Sequence, residues 1–317
     1  MKYINSHITN GPSYLRAYEN GLLQKKAAKA SSLLKSCTLC PRKCGVDRLA
    51  GETGFCNTAQ LSWVSSYGPH FGEEKPLIGT HGSGTIFFTH CNLLCLFCQN
   101  FDISHQGAGQ EVTGDDLADI MLALQKQGCH NINFVTPSHV VPQILAAVEL
   151  AVPHGLKIPL VFNTGGYDRV ATLKLLEGVF DIYMPDFKFW NPQVAASICQ
   201  AGDYPEIARR ALAEMHRQVG VLQIDSAGMA RRGLLIRQLV LPGGLAGTRD
   251  IMRFIAQKLS PDSYVNIMSQ YRPCGRACEV KGLNSHLAPE EYKNALRAGM
   301  EEGITRLDQP HRRYVVR

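Results

Sequence analysis

Cys91, Cys95 and Cys98 stand in the stretch Thr89-His90-Cys91-Asn92-Leu93-Leu94-Cys95-Leu96-Phe97-Cys98-Gln99-Asn100. Thiolates are soft ligands suited to iron–sulfur clusters. A cubane has four irons, so three thiolates leave one iron open to another ligand. Such a cluster can do chemistry as well as carry electrons. Two plainer readings compete. A zinc site usually takes four protein ligands, and no histidine here closes a Cys-x2-Cys…His-x3-5-His pattern. A structural disulfide calls for an oxidising compartment, and Met1–His7 lacks the apolar stretch of an export signal. The spacing therefore predicts a three-thiolate cluster.

A second set, Cys37, Cys40, Cys44 and Cys56, is spaced Cys-x2-Cys-x3-Cys-x11-Cys with Pro41, Gly45, Gly51 and Gly54 between. Four thiolates on a glycine-rich loop close a metal site completely. A second 4Fe–4S cluster would relay electrons or anchor substrate; a structural zinc would contribute folding free energy directly. Cys274 and Cys278, spaced Cys-x3-Cys, could be extra ligands or a substrate-facing thiol pair, and read most simply as ordinary residues at a helix start. Cys129 and Cys199 have no cysteine neighbours in sequence and read as small buried hydrophobes. His90 and His139 fall near the triplet, each with a backbone group as its plain partner.

The elements that must hold these residues alternate strand and helix. Thr85–Phe88 leads into the triplet as a first strand. Further strands are expected at Ile132–Val135, Pro159–Phe162, Asp181–Met184, Leu234–Val240 and Tyr264–Met268. Helices are expected from a Thr113 cap to Gln127, and over Val141–Val152, Val170–Leu176, Pro205–Val219, Arg249–Leu259 and Pro289–Glu302. Apolar, β-branched strands suit a parallel sheet buried on both faces. Six βα units are too few for a closed eight-stranded barrel. The expected fold is α/β: a partial, open (β/α)6 TIM-like barrel with an N-terminal cysteine-rich accessory segment. A doubly wound sheet is the alternative, but no Gly-x-Gly-x-x-Gly follows a strand. The expected division is 1–80 as an N-terminal helical and cysteine-rich metal-binding segment, 81–288 as the barrel, and 289–317 as a C-terminal helix and tail.

The 317 residues are 45% hydrophobic and carry a formal charge of +6. No apolar run reaches the ~18–20 residues of a membrane span. The basic residues are scattered, with Arg231-Arg232 and Arg312-Arg313 as short pairs. No basic stripe interleaved with aromatics tracks a nucleic acid. Eleven cysteines in a reducing compartment favour metal over disulfides. A cytoplasmic chain with neither membrane nor nucleic-acid partner is expected, and its basic face suits an acidic electron donor.

In either fold, function gathers at the carboxyl ends of the strands. The third strand ends in Asn163-Thr164-Gly165-Gly166-Tyr167-Asp168, where paired glycines permit a close backbone approach or a plain turn. The fourth ends in Met184-Pro185-Asp186-Phe187-Lys188, with Asp186 and Lys188 two apart on one side of an extended segment. Arg237 lies among apolar residues of the fifth and needs a carboxylate nearby.

A Cys-x3-Cys-x-aromatic-Cys after a short apolar strand resembles the radical S-adenosylmethionine superfamily. The resemblance implies that Cys91, Cys95 and Cys98 hold a 4Fe–4S cluster whose open iron binds S-adenosylmethionine, with Phe97 near the adenine. It implies one-electron cleavage of the cofactor and hydrogen abstraction by a 5′-deoxyadenosyl radical. Thr164, Met184, Asp186, Lys188 and Arg237 look like the cofactor-binding pattern of the pyruvate formate-lyase activating enzyme branch. There an Asp-Thr follows strand three; Asn163 replaces the aspartate here. A Gly-Gly-Glu segment usual after strand two is replaced by Val135-Thr136-Pro137-Ser138-His139, so Thr136, Ser138 or His139 would take its contact with the cofactor amine. Glu73-Glu74-Lys75-Pro76-Leu77, Gln99-Asn100 and Gln270-Tyr271-Arg272-Pro273 resemble a subgroup related to that activase. The implied partners are a flavodoxin- or ferredoxin-like electron donor and a protein substrate such as a glycyl radical enzyme. A peptide- or small-molecule-modifying radical enzyme is the second reading. A non-catalytic iron–sulfur electron carrier or zinc-binding scaffold is the reading from another class.

Overall fold

A computed structural model describes residues 11–308. Met1–His7, the Arg312-Arg313 pair and the end of the expected tail lie outside the described residues. In chain order the strands are β1 (Ser62–His70), β2 (Ser83–Phe88), β3 (Gln110–Val112), β4 (Ile132–Val135), β5 (Leu160–Thr164), β6 (Ile182–Pro185), β7 (Gln223–Ile224), β8 (Ala230–Leu239), β9 (Tyr264–Met268) and β10 (Arg306–Leu307). Their order across the sheet is β10-β9-β8-β6-β5-β4-β2-β1-β3, with β7 paired to β8. From β2 to β9 the principal strands are parallel and in chain order. That unbroken order winds in one sense, as a barrel does; a doubly wound sheet reverses midway. The sheet does not close, so the partial-barrel expectation holds.

The helices are α1 (Ser13–Glu19), α2 (Leu22–Ser32), α3 (Lys75–Ile78), α4 (Phe101–Ser104), α5 (Gly114–Lys126), α6 (Val141–Ala151), α7 (Val170–Leu176), α8 (Pro192–Cys199), α9 (Tyr204–Val219), α10 (Thr248–Phe254) and α11 (Pro289–Glu301). Sequence chemistry sets their starts. Thr113 and Asp116 form a capping box at α5, and Asn191 accepts two backbone N–H groups at α8, as short polar caps do. The expected helix over Arg249–Leu259 is α10 followed by a widened π turn, Ile255–Leu259. No helix among the described residues is long and apolar enough to cross a membrane.

Alternate strand residues build two apolar layers. Leu160, Phe162, Tyr183, Leu234 and Ile236 face the helices within the main core. Val161, Ile182, Met184 and Leu235 face the other way and pack around Leu77 of α3. The short α3 thus fills the base of the concave side. Asn131, just before β4, donates to the Leu77 carbonyl at 2.8 Å and fixes it there.

The antiparallel strands β1 and β3 extend the sheet past β2 and were not expected. Ser, Gly and Pro residues of β1 mask its strand character. Pro69 is tolerated because β3 pairs only Ser62–Val64, leaving the outer edge at Pro69 without a ladder partner from β3. Two residues at the start of the described chain bond directly to the strands and their loops. Ser13 donates through its backbone N–H and hydroxyl to Asp181 at 2.8 and 2.7 Å, and Tyr14 donates to the Ile158 carbonyl at 3.0 Å.

Candidate active site

The loop leaving β2 turns sharply. His90 (φ 70°) and Leu94 (φ 51°) adopt left-handed backbone, uncommon outside glycine. The Thr89 N–H donates to the Trp63 carbonyl at 2.8 Å, the His90 N–H to Ile103 at 3.0 Å and the Cys98 N–H to Cys95 at 3.0 Å. The bend brings Cys91, Cys95 and Cys98 to one cavity of about 460 Å³, within the ~300–1,000 Å³ of small-molecule sites. Each sulfur has a donor: the Leu93 N–H to Cys91 at 3.3 Å, the Ser104 hydroxyl to Cys98 at 3.2 Å and the Cys199 thiol to Cys95 at 3.2 Å. Cys199 is therefore more than the small hydrophobe its sequence suggested.

Burial pushes the Cys91 thiol up to about 12, with Cys95 adding to it. The close pairing with the Cys199 sulfur, then burial, raises Cys95, and burial raises Cys98. A bound metal reverses that balance, since metal ligation itself drives thiol deprotonation. Three thiols sharing one cavity, Cys95 buried and Cys91 and Cys98 half-buried, are thus a donor set that fits a cluster. Phe97 lines the same cavity, edge-on to Phe189 and Tyr271 at 6.1 and 5.8 Å between ring centroids.

Across the cavity stand Asn163 and Thr164 at the end of β5, Asp186 and Lys188 after β6, and Arg237 on β8. Lys188 and Asp186 form an ion pair. Burial opposes the Lys188 charge, but Asp186 outweighs it and keeps the amine protonated. The carboxylate expected near Arg237 is supplied twice. Glu74 accepts from its Nε and Nη2 at 2.8 and 2.6 Å, and Glu73 accepts from Nη2. Asn266 donates to Glu74 at 2.6 Å. Burial pushes Glu73 upward, yet Arg237 and then His70 outweigh it and hold the carboxyl down at about 2. Glu73, Glu74 and Asn266 were not assigned from sequence. The adjacent acids ahead of Pro76 were the available signal, but nothing in the sequence linked them to Arg237.

Thr164 and Ser138 sit 3.0 Å apart, and each donates to the Asp168 carboxylate at 2.6 Å. Burial raises Asp168 to about 6 against the pull of both hydroxyls. Ser138 thus stands behind Thr164, outside the cavity lining. Thr136 lines the cavity with φ 60°, and its N–H donates to the Asn163 carbonyl at 2.9 Å. Gly166 (φ 78°) is the tight point expected of the paired glycines: a Cβ there would lie 2.2 Å from the Asp186 carbonyl oxygen.

His139 belongs elsewhere. Its Nε2 bonds the Thr89 carbonyl at 3.0 Å, and the residue lines a separate, smaller cavity with Cys37, Cys40, Cys44, Cys56 and Arg48. The two cavities are joined by backbone. Arg42, between Cys40 and Cys44, donates to the carbonyls of Asn92, Gln200 and Cys199 at 3.1, 2.5 and 2.7 Å. Among the described residues no three His, Cys, Asp or Glu side chains already converge where one metal ion would sit.

Comparison with known proteins bears on this arrangement. A family model described as the radical SAM superfamily matches residues 85–224. An uncharacterized protein of Methanocaldococcus jannaschii is 32% identical over 283 residues, covering 87% of this chain and 77% of that protein. Among solved structures, a radical S-adenosylmethionine methyltransferase of Kitasatospora setae, with cobalamin and a 4Fe–4S cluster bound, matches at 14% identity and TM-score 0.42. A maturase of the FeFe-hydrogenase matches at 9% and 0.47, and methylornithine synthase at 14% and 0.42. The matches cover 59%, 69% and 91% of this chain and 36%, 49% and 72% of those chains. The family match begins within β2 and takes in the three-cysteine loop and the ends of β4, β5 and β6. Residues 85–224 are thus a radical S-adenosylmethionine superfamily domain, the domain of enzymes that work with a 4Fe–4S cluster and S-adenosylmethionine.

Proposed function

We propose that Cys91, Cys95 and Cys98 are the cluster ligands and that the enzyme abstracts a hydrogen atom from carbon. The observation that carries this reading is the meeting of three cysteine thiols with Asn163, Thr164, Asp186, Lys188 and Arg237 around one cavity at the strand ends. When bound, the cluster and S-adenosylmethionine supply a one-electron cleavage that yields a carbon radical. The protein's part is to bind, orient and exclude water. Lys188 and Asp186 offer a fixed charge pair to the amino-acid end of the cofactor, and Phe97 offers an apolar wall to its base. Arg237, locked by Glu73 and Glu74, forms a rigid wall instead of a free guanidinium. Ser138 acts on the site through Asp168 and Thr164, and His139 through the Thr89 carbonyl ahead of the cysteine loop.

A cavity of about 460 Å³ takes a cofactor and one small reacting group. A large substrate would therefore present only a tip, as a glycine on a loop does. This supports activation of a glycyl radical enzyme as the specific reaction, with a flavodoxin- or ferredoxin-like electron donor in the cytoplasm. Anaerobic protein loaded with iron and sulfide, then given S-adenosylmethionine and dithionite, is expected to form 5′-deoxyadenosine, and Cys91→Ala, Cys95→Ala or Cys98→Ala to abolish it. No product from fully loaded protein would sink the reading. Adding a glycyl radical enzyme should produce a glycyl radical signal by electron paramagnetic resonance; product without that signal would leave the radical chemistry and remove the activation role.

A further inference from the structure

We infer that Cys37, Cys40, Cys44 and Cys56 hold a second metal centre as four thiolates, and that the buried Arg48 guanidinium is its counter-charge. Arg48 is 1% exposed. Its Nε donates to the Ala59 carbonyl at 2.8 Å and its Nη1 to the His139 carbonyl at 2.7 Å. Its Nη2 is buried without a partner. Arginine stays protonated in proteins, and a buried charge met only by neutral carbonyls is strongly unfavourable. The cavity that Arg48 lines is lined also by all four cysteines. Four neutral thiols supply no charge. Four thiolates around a zinc ion, or around a 4Fe–4S cluster carrying two positive charges, leave two negative charges against the guanidinium.

A further observation points to an occupant. Gly54 provides a notch for a sulfur: a Cβ there would lie 2.6 Å from the Cys44 Sγ, while the Phe55 N–H donates to that Sγ at 3.4 Å. The backbone folds Cys44 back toward Cys37, whose N–H donates to Val46 at 2.9 Å and whose carbonyl accepts from Gly45 at 3.0 Å. The sulfurs are not yet gathered on one ion position, so binding tightens the loop.

The inference does not depend on the radical reaction, and metal counting tests it without turnover. A full-length variant with Cys91, Cys95 and Cys98 all changed to Ala leaves only this centre. After anaerobic purification it should carry about one zinc or about four irons per chain. Either result supports the centre and identifies its metal; neither metal present overturns it. Adding Cys44→Ser, at an exposed ligand, should remove that metal from folded protein, and retention would overturn the ligand set. Arg48→Met removes the charge while Arg48→Lys keeps it. A chelator should strip metal at least about tenfold faster from the Met variant than from the Lys variant, and equal rates would overturn the counter-charge role. Should the Met variant not fold, Arg48→Gln, which keeps donors but carries no charge, takes its place: faster release than from Arg48→Lys supports the role, and equal rates refute it.

Discussion

Gly166 and Asp168 show how single residues set the site. With φ 78° and a Cβ position 2.2 Å from the Asp186 oxygen, Gly166 lets the loop after β5 lie against the end of β6. Gly166→Ala must move the backbone beside Lys188. It should cost more than ~1 kcal/mol of stability and weaken S-adenosylmethionine binding at least about tenfold, measured by equilibrium binding to the loaded protein. Unchanged affinity would show that this contact does not place Asp186. Asp168 titrates near 6 when folded, above its ordinary 3.8. The folded chain holds that proton more tightly. Its stabilising contribution is therefore complete below about pH 4 and is lost as pH rises through about 6, worth about 3 kcal/mol in all. Between about pH 5 and 7.5 the denaturation midpoint of the native chain should fall, while that of Asp168→Asn should stay flatter. Parallel profiles would refute the assignment.

At the scale of elements, six of the parallel strands, β2, β4, β5, β6, β8 and β9, were legible because apolar, β-branched runs recur between helical periods; the two-residue β10 beside β9 was not. β4, α7 and β9 begin and end where the sequence places them. β1 was not legible: its Ser, Gly and Pro residues carry a turn signature that pairing with β2 overrides. α8 carried a readable start in Asn191-Pro192 that went unused. The charge lattice of Glu73, Glu74 and Arg237 could not be read at all, since it joins residues more than 160 positions apart. Nor could the clasp of Arg42 on the cysteine loop. Arg42 also lies over the Phe55 ring, 3.7 Å from its centroid. Its planar fork reaches three carbonyls, which lysine cannot do. Arg42→Ala and Arg42→Lys should both release iron from the Cys91–Cys98 loop faster, about threefold or more, as followed by the loss of visible absorbance under chelator. A rate equal to that of the native chain would show the clasp to be incidental to the loop.

For the whole molecule, the charge of +6 bears on how electrons arrive. Exposed charges act over a Debye length of about 10 Å at 0.1 M salt. Reduction by an acidic flavodoxin-like protein should slow severalfold as salt rises from about 0.05 to 0.5 M, because steering acts chiefly on association. Reduction by dithionite supplies the control for any direct effect of salt on the loaded chain. A donor rate that does not respond would mean that docking is not steered by the net positive charge.

The seating of Leu77 beneath the strands has a kinetic corollary. Because the sheet is open, α3 plugs one end of the lumen without sealing its side. Arrivals and departures share one cavity, so end-products should compete with incoming reactants, and added 5′-deoxyadenosine should slow turnover.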